Sequence, residues 1–460
     1  MRLLKQMKRA MLCTLWIVLG GFHFGAMAQG SASAPVAALA KNSINSADTA
    51  WMMFCTALVQ NIIHAVMFCT ALVLMMTLPG IALFYGGMIR RKNVINTFAS
   101  VVAVATVVTL VWFAVGYSLA FTPGNRFLGS TERMWFSSLE YVKDTGFVAV
   151  SYIAPNLPES VFSMFHLSFA IITAALIVGA VVERMKFSAL LWFIGLWSIV
   201  VYAPIAHWVW EPSGWLAQMG VLDFAGGSVV HINAGVTGLM CAYALGSRQG
   251  YGREPFQPFN LGLTMAGTGL LWIGWFGFNA GSTFAADGRA GLAMAVTQIA
   301  AAGGAFAWMM CEWVVRRHPS LLGLCSGAIS GLVAITPAAG FVSPLSALVI
   351  GLVAGVVCYW GATGLKRTLH ADDSLDVFGV HGIGGIVGSL LTGFLASKSI
   401  GGVQGQPMVQ LAGVVFVVLY SGVMSAILLW VVKLMVGLRV DETTEQNGLD
   451  ISLHREQLGT

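Results

Sequence analysis

Charge is scarce in this sequence. Only 9% of its 460 residues are Asp, Glu, Lys or Arg, against roughly 25% in a soluble domain, and that scarcity excludes a soluble globular chain. Reactive cysteine motifs are missing too. None of the seven cysteines stands in CxxC or CxxCH, and Cys55, Cys69, Cys241, Cys311, Cys325 and Cys358 lie in or beside apolar runs, as buried thiols do. Two intramembrane histidines without a carboxylate cluster make a poor metal or haem ligand set. No cofactor or metal is therefore expected, and a membrane enzyme is disfavoured. A real basic surplus is also lacking. Removing the four basic residues of the first 28 leaves 20 basic against 19 acidic, a net charge of +1, so nothing points to nucleic acid.

Those first 28 residues have the layout of a cleaved secretory signal. Arg2, Lys5, Lys8 and Arg9 precede an apolar stretch that ends in Ala26-Met27-Ala28. Residues 29–63 follow as a periplasmic segment. It contains one copy of a local duplication, "MMFCTALV" at 52–59 and "VMFCTALV" at 66–73, too short in period to be a structural repeat array.

What the chain does have is hydrophobic length. Runs near or above the roughly 20 residues that cross a bilayer predict an all-α polytopic membrane protein. Its eleven transmembrane helices are expected at 64–88, 94–121, 161–182, 187–209, 225–246, 259–284, 290–315, 320–338, 343–365, 377–397 and 409–436. Basic residues occupy every second connection: Arg90, Arg91 and Lys92, then Arg184 and Lys186, Arg248 and Arg253, Arg316 and Arg317, Lys366 and Arg367. The positive-inside rule places those connections in the cytoplasm, with the N-terminus out and the C-terminus in. Five, five and one helices predict an inverted repeat. The fifth run carries "GGSVVHINAG" and the tenth "VFGVHGIGG", each a single histidine among glycines. Residues 437–460 form a polar cytoplasmic tail with Asp441, Glu442, Glu445 and Asp450; disorder is its plain reading.

Chemistry inside such a chain rests on few side chains. His231 shares a helical face with Gly227 and Gly235, and His381 with Gly384, Gly385 and Gly388. Such faces let helices approach closely, so the two imidazoles either act as interhelical glue or meet along one path. Asp223 stands eight residues before His231 and Asp376 five before His381. Both suit a helix cap, and Asp223 could also prepare the floor of an outer cation site. "MFHLSFA" puts Phe165 and Phe169 one turn apart, "GWFGFNAGS" supplies Trp275, Phe278 and Ser282, and Trp210 ends a helix on the outer side. Interfacial belts and core packing explain such rings; ring faces with a hydroxyl would equally make a cation site.

"PGIALFYGG", "DFAGGSVVHINAG", "GWFGFNAGS", "LLGLCSGAISGLV" and "DVFGVHGIGGIVG" occur in that order. Together they resemble the hallmark segments of the ammonium transporter (Amt/Rhesus) family, bacterial Amt branch, from about residue 64 to 450. The resemblance implies a substrate-binding site of Trp210, Phe169 and Ser282 with Phe165 close by, and Asp223 as the acid needed beside it. It further implies a pore gate of Phe169 and Phe278, a conduction path through His231 and His381, and Asp376 in support. It implies uptake of ammonium across the bacterial inner membrane by a homotrimer, by deprotonation and passage of ammonia with a separate proton path. A P-II-type nitrogen regulator would dock at the cytoplasmic face, and the tail would pack across subunits. An ammonium sensor on the same fold is the alternative, from which an output domain after residue 437 is missing. Two departures stand out: a Trp210–Asp223 spacing one residue longer than the family form, and Arg455 where the family has glycine.

Overall fold

In hydrocarbon every backbone N–H and C=O has to be satisfied within its own segment, so long apolar runs become helices. The computed structural model describes residues 62–459. The expected signal peptide and nearly all of the periplasmic segment, with the first copy of the duplication, lie outside them. The described residues hold ten helices long and apolar enough to cross a membrane. They are α1 (Val66–Met88), α2 (Arg91–Phe121), α3 (Glu159–Val181), α4 (Phe187–Gln218, broken after Trp210), α5 (Gly227–Leu245), α6 (Leu261–Gly281), α7 (Gly288–Arg316), α9 (Pro344–Thr368), α10 (Phe378–Leu395) and α11 (Pro407–Val436). Between α7 and α9 lies a shorter apolar helix, α8 (Leu321–Ile335). The 122–158 connection holds two small antiparallel ribbons, β1 (Gly124–Asn125) with β2 (Leu128–Gly129) and β3 (Tyr141–Val142) with β4 (Phe147–Val148).

α8 is shorter than the 320–338 run suggested, for a local reason. It ends before Pro337, and the buried turn that follows gives its carbonyls away: Phe224 N–H donates to Pro337 and Ala225 N–H to Thr336, both at 3.2 Å. The helix stops early to hold the loop that leads into α5.

α3 is the central element, with 94% of its apolar window buried, whereas α2 and α11 are peripheral at 33%. Met408, Leu419, Val423, Trp430 and Leu434 of α11 are exposed, an apolar outer face that suits lipid or a second subunit. Close packing depends on small residues. A Cβ on Gly385 of α10 would lie 2.8 Å from the Gly227 carbonyl oxygen of α5, and one on Gly235 would sit well inside contact distance of Gly382 Cα and N. α5 and α10 therefore cross backbone to backbone. Each begins with a wide i→i+5 turn, Gly227–Ile232 and Phe378–Gly382, and so interrupted are α4 at Ser198–Tyr202 and α9 at Gly361–Leu365. The turns in α4 and α9 and in α5 and α10 correspond, whereas those in α1 (Met76–Ile81) and α2 (Trp112–Gly116) have no counterpart in α6 and α7.

The tail is ordered against its own subunit. Lys186 N–H donates to Leu438 at 2.9 Å and Val440 N–H to Arg184 at 3.0 Å. Arg439 pairs with Glu445 at 2.7 Å, the same carboxylate accepts from Gln249 N–H, and Asp450 accepts from Asn96 N–H at 2.8 Å. Plain disorder is excluded by these bonds. Beneath it Glu183 pairs with Arg90 at 2.9 Å and Arg248 at 2.7 Å, and Arg248 forks onto Asp372 at 2.7 and 2.9 Å. Burial alone would raise the Glu183 carboxyl, but Arg248 and Arg90 hold it below the usual range.

Arg455 closes the last helical turn of the tail at φ +57°, in the left-handed region that costs a non-glycine residue about 1 kcal/mol. Arg455→Gly should raise hydrogen-exchange protection of the 450–454 amides about fivefold, equivalent to that ~1 kcal/mol; unchanged protection would show that the turn is not strained.

Candidate functional site

The Trp210 end of the site is assembled where helix ends meet. Trp210 terminates α4, and its indole N–H donates to the Asp223 carbonyl at 2.9 Å. The Asp223 carboxylate is taken up by backbone N–H groups. Oδ1 accepts from Gly226 and Gly227 N–H at 2.8 and 2.6 Å, and Oδ2 from Ser228 and Val229 N–H at 2.8 and 3.1 Å. Four otherwise orphaned donors at the start of α5 are satisfied by one side chain. Burial pushes the Asp223 carboxyl up, and the amides offset part of that rise. Gly226, at φ +113°, makes the turn between the loop and α5 possible.

Beside Trp210 stand the rings of α3. Phe169 meets Trp210 edge-on at 5.6 Å and Phe165 at 4.8 Å. Phe165 reaches across to α6, where a Cβ on Gly281 would lie 2.9 Å from its ring. That contact brings the end of α6 and Ser282 into the same neighbourhood. The Ser282 hydroxyl donates to the Phe278 carbonyl at 2.9 Å, so its oxygen lone pairs stay available to a donor. Phe169 and Phe278 stack face to face, centroids 4.1 Å apart at 14°. They form a double ring plate across the axis of the site.

Below the plate the two histidines meet. His231 lies 6.2 Å from Phe278, stacks on Trp275 at 5.3 Å, and stacks on His381 at 5.4 Å and 19°. Their Nδ1 atoms are 3.3 Å apart. A single hydrogen fits between two such nitrogens, so one ring donates and the other accepts. The other His231 nitrogen, Nε2, is buried without a partner. Around them runs a narrow cavity whose other walls include Ile81, Phe84, Leu271 and Ile329. A second cavity, bordered by Trp308, Ser326 and Asp376, shares Phe84, Tyr85, Ile329 and His381 with it. The first has no charged side chain on its wall; the second ends at the Asp376–Lys366 ion pair, 2.7 Å.

Asp376 does not cap α10, as its position suggested. Its backbone is left-handed at φ +58° and its carboxylate is taken by Lys366. The cap belongs to Asp373, whose Oδ2 accepts from Phe378 N–H at 2.7 Å while Oδ1 is buried without a partner. Sequence reasoning passed over this residue although the signal was present: Asp373 precedes His381 by eight residues, as Asp223 precedes His231. Burial, aided by the nearby Asp376, pushes Asp373 up to about 6 from 3.8. A carboxyl raised on folding adds stability below its unfolded value, and that stability is lost as pH rises through the folded value. Asp373→Asn should therefore match the wild type below pH 4 and exceed it by about 3 kcal/mol above pH 6. Thermal melts at pH 4 and pH 7 check this; an equal offset at both would refute it.

Two further groups were missed. Phe121, at the end of α2, lies parallel to Trp210 at 6.4 Å, and His166 sits among the rings of α3. Among the described residues no cluster of three or more His, Cys, Asp or Glu side chains is placed to hold a metal ion.

Residues 64–458 match the family model described as the Ammonium Transporter Family. The chain belongs to that family. It is 43% identical over 399 residues to the ammonium transporter of Bacillus subtilis, covering 85% of this chain and 96% of the relative, and 42% identical over 394 residues to ammonium transporter Amt1 of Archaeoglobus fulgidus, covering 84% and 96%. Among solved structures it superposes on Saccharomyces cerevisiae Mep2 with a TM-score of 0.76 at 35% identity, covering 87% of this chain and 92% of that one. It also superposes on a structure titled Sensor Amt Protein, with a TM-score of 0.77 at 28% identity, covering 84% and 96%. With its ten apolar helices, this member of the family is a multi-pass membrane protein.

Proposed function

We propose that the chain takes up ammonium across the bacterial inner membrane. One observation carries the reading: a stacked imidazole pair, buried and uncharged in its surroundings, directly continues a ring plate beneath an aromatic outer site. Ammonium is recruited by the faces of Trp210, Phe169 and Phe165 and by the Ser282 lone pairs; desolvated cation–π contacts are worth about 2 kcal/mol. The bare ion cannot follow the cavity, since the idealised cost of moving it to low dielectric is of order 20 kcal/mol. It loses its proton at the outer site. Neutral ammonia then passes when the Phe169–Phe278 plate opens, and hydrogen-bonds in turn to His231 and His381. The proton travels separately along the two histidines. Potassium has no proton to give up and is refused.

The remaining parts fit that assignment. The N-terminus lies outside after removal of residues 1–28, eleven helices cross the membrane, and the tail lies inside. Three subunits assemble with a pore in each, and a P-II-type regulator closes them from the cytoplasmic face, where the docked tail is within its reach. The sensor reading draws on a structural neighbour titled Sensor Amt Protein; a sensor would bind ammonium without moving it.

Purified protein in liposomes decides between them. An ammonium jump should evoke a current that an equal potassium jump does not, and Phe278→Trp, which thickens the plate, should abolish it. Absence of both current and internal pH change in intact protein would overturn the transport reading.

A further inference from the structure

Helix α3 brings a third histidine to the outer site, and no role in recruitment has been given to it above. His166 lies between Phe165 and Phe169 in sequence and is 5% exposed. Six rings surround it: Phe121 at 4.1 Å, Phe162 at 4.4 Å, Trp210 and Phe284 at 5.6 Å, Phe165 at 5.7 Å and Phe169 at 5.9 Å. Three of these are the rings assigned to the cation. Its Nδ1 stands 3.2 Å from the Phe162 carbonyl one turn back. A carbonyl oxygen only accepts, so Nδ1 carries the hydrogen, and a neutral imidazole then keeps its lone pair on Nε2. No hydrogen-bond partner for Nε2 stands among the described residues. The result is a basic nitrogen of fixed tautomer on a ring packed against Trp210 and Phe169.

Ring faces attract a cation from any direction but do not satisfy its N–H bonds. The Ser282 oxygen can take one of the four N–H bonds of ammonium, and a desolvated donor left unpaired is costly. We propose that His166 Nε2 is a direct hydrogen-bond acceptor for the ammonium ion at the outer site, complementing the ring faces and the Ser282 hydroxyl. This rests on the reading that the outer site recruits ammonium. The consequence is selectivity at the entrance itself: an acceptor nitrogen rewards a cation that donates hydrogen bonds over one, such as potassium, that cannot.

The test compares three full-length variants in liposomes, reading the ammonium concentration that gives half-maximal transport. His166→Phe keeps an aromatic ring and removes the acceptor; half-saturation should rise about tenfold, the worth of one charge-assisted hydrogen bond, with maximal rate within about twofold. His166→Gln restores an acceptor oxygen without the ring and should return half-saturation to within about threefold of wild type. His166→Leu replaces the phenylalanine variant in the comparison if that variant does not assemble. Unchanged half-saturation in His166→Phe would overturn the proposal, as would equal losses in the phenylalanine and glutamine variants, which would make His166 a packing residue. A wild type that moves no ammonium would instead refute the transport reading itself.

Discussion

Replacing Asp223 with alanine is expected to abolish ammonium transport in reconstituted vesicles and to lower thermal stability at the same time. The carboxylate accepts four backbone N–H bonds at the start of α5. Bonds to a charged acceptor contribute about 1.5–3 kcal/mol each, and buried donors left without partners cost more still. The loss therefore amounts to at least ~3 kcal/mol even if water replaces half of them. It also frees the loop whose Asp223 carbonyl holds the Trp210 indole, so the outer site loses its ring and α5 loses its first turn, where His231 sits. Asp223→Asn keeps one amide oxygen for two of the donors and turns an NH2 against the others; an intermediate stability and residual flux should result. The cap account fails if Asp223→Ala melts like the wild type and is inactive solely through weak ammonium binding.

Gly235→Ala should have the second largest effect, although it adds one methyl group and touches no ligand. The new Cβ meets Gly382 Cα and N, atoms of the neighbouring backbone rather than the tip of a movable side chain. Carbon–carbon contacts are comfortable near 3.5–4.0 Å, so α5 and α10 would have to separate by about 1 Å. Gly382 follows His381 directly, and the Nδ1–Nδ1 approach of 3.3 Å lies within hydrogen-bonding range only because the helices touch. A displacement of about 1 Å at a positioned group is worth about a hundredfold in rate. Transport should fall by about that factor, with a stability cost of about 1–3 kcal/mol from overpacking. If flux stays within threefold of the wild type in folded protein, the helix crossing is not what aligns the histidines.

Much of this was legible in the sequence, because hydrocarbon leaves the backbone few options. Long apolar runs announced the helices, and the pairing of a lone histidine with glycines announced the close crossing, while it left open whether the imidazoles meet. What stayed hidden was set by tertiary geometry. The length of α8 depended on where the carbonyls of Thr336 and Pro337 were needed, and apolar composition does not encode that. Asp376 was chosen over Asp373 by proximity to His381, whereas the cap is fixed by the chain path through a left-handed residue. His166 read as one more residue on a buried face until the rings of three other segments closed around it.

The ion pairs beneath the tail link the C-terminal segment to the histidine pair in contact steps. From Leu449 N–H the path runs to Asn93, from Asn93 to Glu183, from Glu183 to Arg248, and from Arg248 to Asp372. Asp372 adjoins Asp373, the residue that holds the first turn of α10 and so its histidine. Every residue along it is buried. A partner that pulls the tail away would thus be acting on a tether rather than covering a hole. Cutting the tether at Arg248 should leave such a partner able to bind yet unable to command the pore.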